Sequence, residues 1–156
     1  MDKWYNGAGN ITMFADVVAD IKNHANINGK VYIGTDSQVI KEECIFSTAI
    51  CLHGADNQEG GKYYIRKVKF NASKFPSLLS RISSEVEKSI AIAMKVLKDI
   101  PKVDIELHLD VSPSEKKEKS SKFADMLIGY AKGVGFECKV KPDAFAATTI
   151  ADKHTK

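Results

Sequence analysis

Two aspartates occupy matching places in this 156-residue chain. Asp36 ends the run Val-Tyr-Ile-Gly-Thr-Asp (31–36), and Asp110 follows Ile-Glu-Leu-His-Leu (105–109). Both runs read as strands, in which side chains alternate between two faces. Tyr32, Gly34 and Asp36 then share one face, and Glu106, His108 and Asp110 share one face of their own strand. If the strands are parallel neighbours, Asp36 and Asp110 meet at the carboxyl edge, where open α/β sheets usually place their sites. A lone aspartate at a strand end is commonly a turn or capping residue. A facing pair is different, because two close carboxylates repel and need a cation between them.

Further carboxylates are offered by two helices. In the long segment before Pro101, Glu85 falls on a shoulder shared with Leu78, Ile92 and Val96, whereas Glu87 lies beside Ser80, Ser83 and Lys98. A carboxylate on an apolar shoulder needs a partner, so Glu85 is the candidate and Glu87 a surface charge. The last segment carries Asp143 and Asp152, nine residues apart and on nearly opposite sides of a regular helix. Asp143 shares the small-residue face of Ala146, Ala147 and Ile150 and is the favoured choice, although an N-cap after Pro142 also explains it. Asp152 stays open as the alternative.

The elements that must position these groups follow from periodicity. A helix is expected over 11–25, with Phe14, Val17, Val18 and Ile21 inward and Asn10 or Thr12 as cap. Strands are expected at 31–38, ending in a polar turn, and at 44–54 and 62–70, the last two joined by a longer loop. A long helix starts with Pro76 in its first turn and buries Leu79, Ile82, Val86, Ile90, Ala93 and Leu97. A strand at 104–111 follows. Next comes a helix burying Phe123, Met126, Leu127, Tyr130, Ala131 and Val134, ended by Gly133 and Gly135. A fifth strand (136–141) and a final helix (143–156) complete the order. Three hairpin-connected strands followed by βα units predict a single α/β domain, 1–156: a mixed five-stranded sheet with helices on both faces, preceded by an N-terminal helix.

Composition excludes several classes. With 44% hydrophobic and 28% charged residues the chain is globular in type. No apolar run approaches membrane-spanning length. Cys44, Cys51 and Cys138 form no CxxC pair, so neither a disulfide framework nor a cysteine-built zinc site is expected. The N-terminal Met-Asp-Lys-Trp lacks the features of a secretion signal, and a cytoplasmic protein is expected. The net charge of +3 is mild, but the positive residues cluster. Lys62, Arg66, Lys67 and Lys69 gather on one strand, and Lys116, Lys117, Lys119 and Lys122 precede a helix. Each group suits phosphate binding about as well as it suits an edge guard or a solvated loop. Ser37 and Gln38 could touch a phosphate or simply form a turn, and His108 reads as a packed, hydrogen-bonded histidine. Tyr63 and Tyr64 read as ordinary strand residues.

The segments IGTDSQ, HLDV and KPDAFAATTIADKHTK, in this order and spacing, resemble the YkuK-type ribonuclease H-like family of bacteria and phages. The likeness runs from about Thr12 to Lys156. It implies acidic residues on the first strand, first crossover helix, fourth strand and last helix, places held by Asp36, Glu85, Asp110 and Asp143 or Asp152. It further implies two Mg²⁺ or Mn²⁺ ions, which suit hard oxygen ligands. Asp36 would bridge them, Glu85 and Asp110 would complete one, and the last-helix aspartate the other. The implied activity is metal-dependent cleavage of RNA, RNA–DNA hybrid or branched DNA. The same fold also serves non-catalytic nucleic-acid-binding modules, which is the alternative.

Overall fold

Val31, Ile33, Ile50 and Leu52 are β-branched or apolar residues at alternate positions of two long strands, and all four are fully buried. The pattern is that of a central sheet covered by helices. The computed structural model describes residues 3–113 and 118–155. Its elements run β1 (Lys3–Asn6), β2 (Ile11–Met13), α1 (Phe14–Asn26), β3 (Lys30–Ile40), β4 (Glu43–His53), β5 (Gly61–Asn71), α2 (Leu78–Asp99), β6 (Ile105–His108), α3 (Ser121–Val134), β7 (Glu137–Lys139), a π-wound turn (Ala146–Ala151) and α4 (Asp152–Thr155). The strands form one mixed sheet in the order β2-β1-β5-β4-β3-β6-β7, with β3–β6 and β6–β7 parallel.

Two apolar clusters occupy the two faces. The larger joins Val17 and Ile21 of α1 with Ile82, Val86, Ile90 and Ala93 of α2 and Ala124, Leu127 and Ala131 of α3. The smaller joins Ala49, Cys51 and Ile65 with Ala146 and Ala151 of the C-terminal segment. The expected helices on both faces are therefore present. Small residues let the C-terminal segment lie close. A Cβ added at Gly34 would stand 2.4 Å from the Ala147 backbone nitrogen, so only glycine admits the helix there.

Several expectations are corrected. The sheet has seven strands among the described residues, not five, because Lys3–Asn6 and Ile11–Met13 pair with each other and then with β5. The N-terminal helix accordingly starts at Phe14; Thr12 is a strand residue opposite Trp4, and neither it nor Asn10 caps the helix. Asp36 does not close its strand, because the β3–β4 ladder continues to Ile40↔Glu43. Pro76 precedes α2 rather than entering its first turn; Ser77 is the cap, with reciprocal bonds of 3.1 Å to Ser80. Only Gly135, at φ 107°, caps α3, while Gly133 lies within it. The α3 stripe is turned from the expected one: Ser121, Ala124, Leu127 and Ala131 are buried, and Met126, Tyr130 and Val134 are exposed.

Candidate functional site

The sheet opens a crevice beside Asp36. On one side β3 stays paired with β4 to its end, but its parallel ladder with β6 stops at Gly34↔His108. Beyond that point residues 109–111 bond to the β7 side, through Leu109 N–H to the Lys139 carbonyl at 2.9 Å and Lys141 N–H to the Val111 carbonyl at 3.0 Å. Asp36 and Asp110 each stand two residues past the last pair, on the same face. α2 passes this opening and contributes Glu85.

The structure brings Asp36, Glu85 and Asp110 together, each with one carboxylate oxygen within 4.8 Å of the others'. Asp36 and Glu85 are buried, at 7% and 5% exposure, and Asp110 is half-buried. Burial pushes the Glu85 carboxyl well above the usual carboxylate range. Asp110 and Asp36 add to the rise, and the Ser37 hydroxyl and Arg81 oppose it. Ser37 Oγ donates to Glu85 Oε2 at 2.5 Å, while Glu85 Oε1 is buried with no hydrogen-bond partner among the described residues. A buried carboxyl with one oxygen lacking a partner, within 4.8 Å of two more carboxylates, is costly unless a cation joins them.

Cations of the protein itself line the same cavity, which measures about 650 Å³ and includes Arg81 and Lys141 with the acids. Lys141 Nζ lies 3.2 Å from Asp110 Oδ1. Sequence reasoning missed both. Arg81 stands four residues before Glu85, a spacing that puts the two on one helix face and could have signalled it. Lys141 had no local signal, because its meeting with Asp110 depends on β7 lying beside β6. Ser37 lines the cavity as well and is the hydrogen-bond donor to Glu85.

Asp143 and Asp152 lie outside the three-carboxylate group. The expectation that Asp143 opens the last helix is corrected: it is exposed in the turn after Lys141, with its N–H bonded to the Val140 carbonyl. The helical segment begins later, at Phe145, and is π-wound from Ala146 to Ala151. Asp152 heads α4, which packs against β3 and β4, and it is half-buried.

His108 holds this segment in place. It is 1% exposed, its Nε2 donates to Glu106 Oε1 at 2.9 Å, and its Nδ1 accepts from Ala146 N–H at 3.1 Å. That pair of bonds requires the neutral Nε2–H tautomer. Burial keeps the imidazole below its ordinary pKa, against the pull of Glu106. Burial raises the Glu106 carboxyl, but hydrogen bonds from His108 and Lys30 outweigh it and leave the group below its usual value. The reading of His108 as a hydrogen-bonded packing residue matches this geometry.

Among the basic residues, Lys62 is paired with Asp20 at 2.8 Å. Tyr64 also donates to Asp20, and Tyr63 meets His154 Nε2 at 3.0 Å. Lys116 and Lys117 lie outside the described residues. No helix among the described residues is long and apolar enough to cross a membrane.

Comparison with known proteins matches residues 12–156 to the family described as Ribonuclease H-like. The chain is also similar to the uncharacterized protein YkuK of Bacillus subtilis (strain 168), at 30% identity over 140 residues, covering 80% of this chain and 77% of that protein. No solved structure matches.

Proposed function

The chain belongs to the ribonuclease H-like family, and from that premise we propose that it is a metal-dependent nuclease hydrolysing phosphodiester bonds of RNA, RNA–DNA hybrid or branched DNA. The observation that carries the reading is the buried Glu85 carboxyl, with one oxygen lacking a hydrogen-bond partner among the described residues, within 4.8 Å of Asp36 and Asp110. Three hard oxygen donors, with no histidine or cysteine in the cluster among the described residues, fit Mg²⁺ or Mn²⁺. Asp36, Glu85 and Asp110 would hold the ions, with Asp152 completing the set from α4. Two such ions, when bound, acidify an attacking water and neutralise charge on the phosphodiester.

The chain's own groups supply the rest. Ser37 fixes the Glu85 carboxyl through its bond to Oε2. Arg81 and Lys141 supply positive charge at the cavity wall for a substrate phosphate. Asp152 is preferred to Asp143 because His154, two residues on and about 200° around the helix, turns to β5. That leaves Asp152 on the β3 side, whereas Asp143 is an exposed turn residue. The test is incubation of the protein with labelled RNA, hybrid and branched DNA in Mn²⁺. Cleavage that disappears in EDTA and in Asp36→Asn supports the proposal. No cleavage of any substrate, with Asp36→Asn indistinguishable from wild type, overturns it.

One contact favours a second reading. Lys141 already balances part of the Asp110 charge, as a binding module without turnover would need. Nucleic-acid binding that survives Asp36→Asn and Asp110→Asn, without cleavage by the wild type, would select it.

A further inference from the structure

A second cleft lies on the far side of α4 from the acids. It measures about 590 Å³ and is lined by Lys3 and Tyr5 of β1, Ile65, Arg66 and Lys67 of β5, and His154 of α4. No carboxylate is among its lining residues, in contrast to the acidic cavity. Lys3 and Lys67 are exposed, and neither is ion-paired among the described residues. The floor is apolar, with Ile65 buried and the Tyr5 ring half-buried beside it.

Strand register fixes where this cleft stands. Asp36 pairs with Ser47, and Ser47 with Lys67, so all three side chains leave the same face. At about 4.8 Å per strand, Lys67 is rooted about 10 Å from Asp36. Nucleic acid advances about 3.4 Å per nucleotide along a strand, so the separation corresponds to about three nucleotides. α4 packs against β3 and β4 between the two places, and its His154 reaches Tyr63 on β5.

We propose that the cleft of Lys3, Lys67 and His154 binds the phosphate backbone of the nucleic acid about three nucleotides from the bond held at the acids, with Tyr5 available for a base to stack. The inference rests on the nuclease reading and adds to it a backbone track that crosses α4. Its cations stand far enough from Asp36 to hold a polyanion without neutralising the carboxylates. Backbone contacts of this kind position a substrate and carry no sequence preference. Tyrosine stacking is equally tolerant of sequence.

The test is equilibrium binding in EDTA, where no metal-dependent cleavage occurs, using fluorescein-labelled single-stranded and duplex oligonucleotides. The double variant Lys3→Gln/Lys67→Gln is compared with wild type over a range of salt. Each lost phosphate contact lowers the slope of log K against log salt by about 0.9 for duplex or about 0.7 for single strands. Two lost contacts should flatten it by about 1.4–1.8 and weaken binding at low salt. Lys62→Gln is the control, since Lys62 is held by Asp20, and it should leave the slope unchanged. A wild type that binds while the double variant binds with the same slope overturns the cleft and leaves the nuclease reading standing. A wild type that binds no oligonucleotide in EDTA overturns the cleft, while the nuclease reading stands or falls on cleavage in Mn²⁺. Tighter binding of a polyglutamate peptide or a free mononucleotide than of the oligonucleotides also overturns the backbone assignment.

Discussion

Glu85→Gln separates the cost of the acidic cluster from its use. Glu85 is 5% exposed, and burial with Asp110 and Asp36 raises its carboxyl well above the ordinary 4.5. In the unfolded chain the same group ionises at its ordinary value. Above pH 4.5 the folded state therefore holds more protons than the unfolded one, and stability falls as pH rises through that interval. Each pH unit costs about 1.4 kcal/mol, so a carboxyl kept protonated to pH 7 costs at most about 3.5 kcal/mol there. Below pH 4.5 the cost vanishes. Glutamine has the same shape, can still accept from Ser37, and carries no such penalty. In a domain of this size 1 kcal/mol moves Tm by about 2–4 °C. In EDTA at pH 7 the variant should melt above wild type by up to about 14 °C, and at pH 4 the two should coincide. Saturating Mn²⁺ at pH 7 should narrow or reverse the order. Wild type gains about 2.7 kcal/mol at a hundred times its Kd, whereas the variant lacks one ligand and gains less. Thermal melts in EDTA and Mn²⁺ read all of this. The reasoning is refuted if Glu85→Gln melts below wild type in EDTA at pH 7, or if Mn²⁺ raises both melting points equally.

Asp36→Asn should lower Mn²⁺-dependent cleavage by at least about a hundredfold, near 2.7 kcal/mol of transition-state stabilisation, with a circular dichroism spectrum like that of wild type. Asp152→Asn should cost about tenfold or more in the same assay and Asp143→Asn less than about threefold; the reverse ranking would show that the turn after Lys141, not α4, supplies the fourth carboxylate. Gly34→Ala puts a methyl 2.4 Å from the Ala147 nitrogen, which should cost about 1–3 kcal/mol or about 3–10 °C in Tm. An unchanged melting point would refute the close crossing of β3 by the C-terminal segment.

What was legible in the sequence was what depends on period rather than on boundaries. Side-chain alternation is fixed by the strand itself, so the shared face of Gly34, Asp36, His108 and Asp110 follows even though Asp36 lies inside its strand and not at its end. Glu85 was legible for a similar reason: its angular position among Leu78, Ile92 and Val96 does not depend on where α2 begins. The four-residue Lys3–Asn6 and three-residue Ile11–Met13 are too short to show alternation, and only pairing with each other and β5 makes them strands. The α3 face was misjudged because Met126, Tyr130 and Val134 are apolar but turned outward, so hydrophobicity alone pointed about a third of a turn away. Asp143 was misplaced because a regular helix was assumed from it onward. The π winding and the Ala146 bond to His108 come from the fit against Gly34, which no local pattern encodes.

The same geometry explains how the fold tolerates three carboxylates within 4.8 Å. They come from β3, from the chain beyond β6 and from α2, three elements whose positions are set elsewhere. β3 is held by its ladder with β4, α2 by Ile82, Val86, Ile90 and Ala93 in the larger core, and the β6 extension by its bonds to the β7 side. The inward-turned hydroxyls Thr35, Thr48 and Ser89 tie β3, β4 and α2 together one turn from Glu85, at 2.9 and 2.7 Å. Repulsion among the acids therefore acts against separately anchored frames, and relieving it moves none of them. It follows that single acid-to-amide changes in this cluster should leave the chain folded. Any loss of cleavage in them then reports on the site and not on the scaffold.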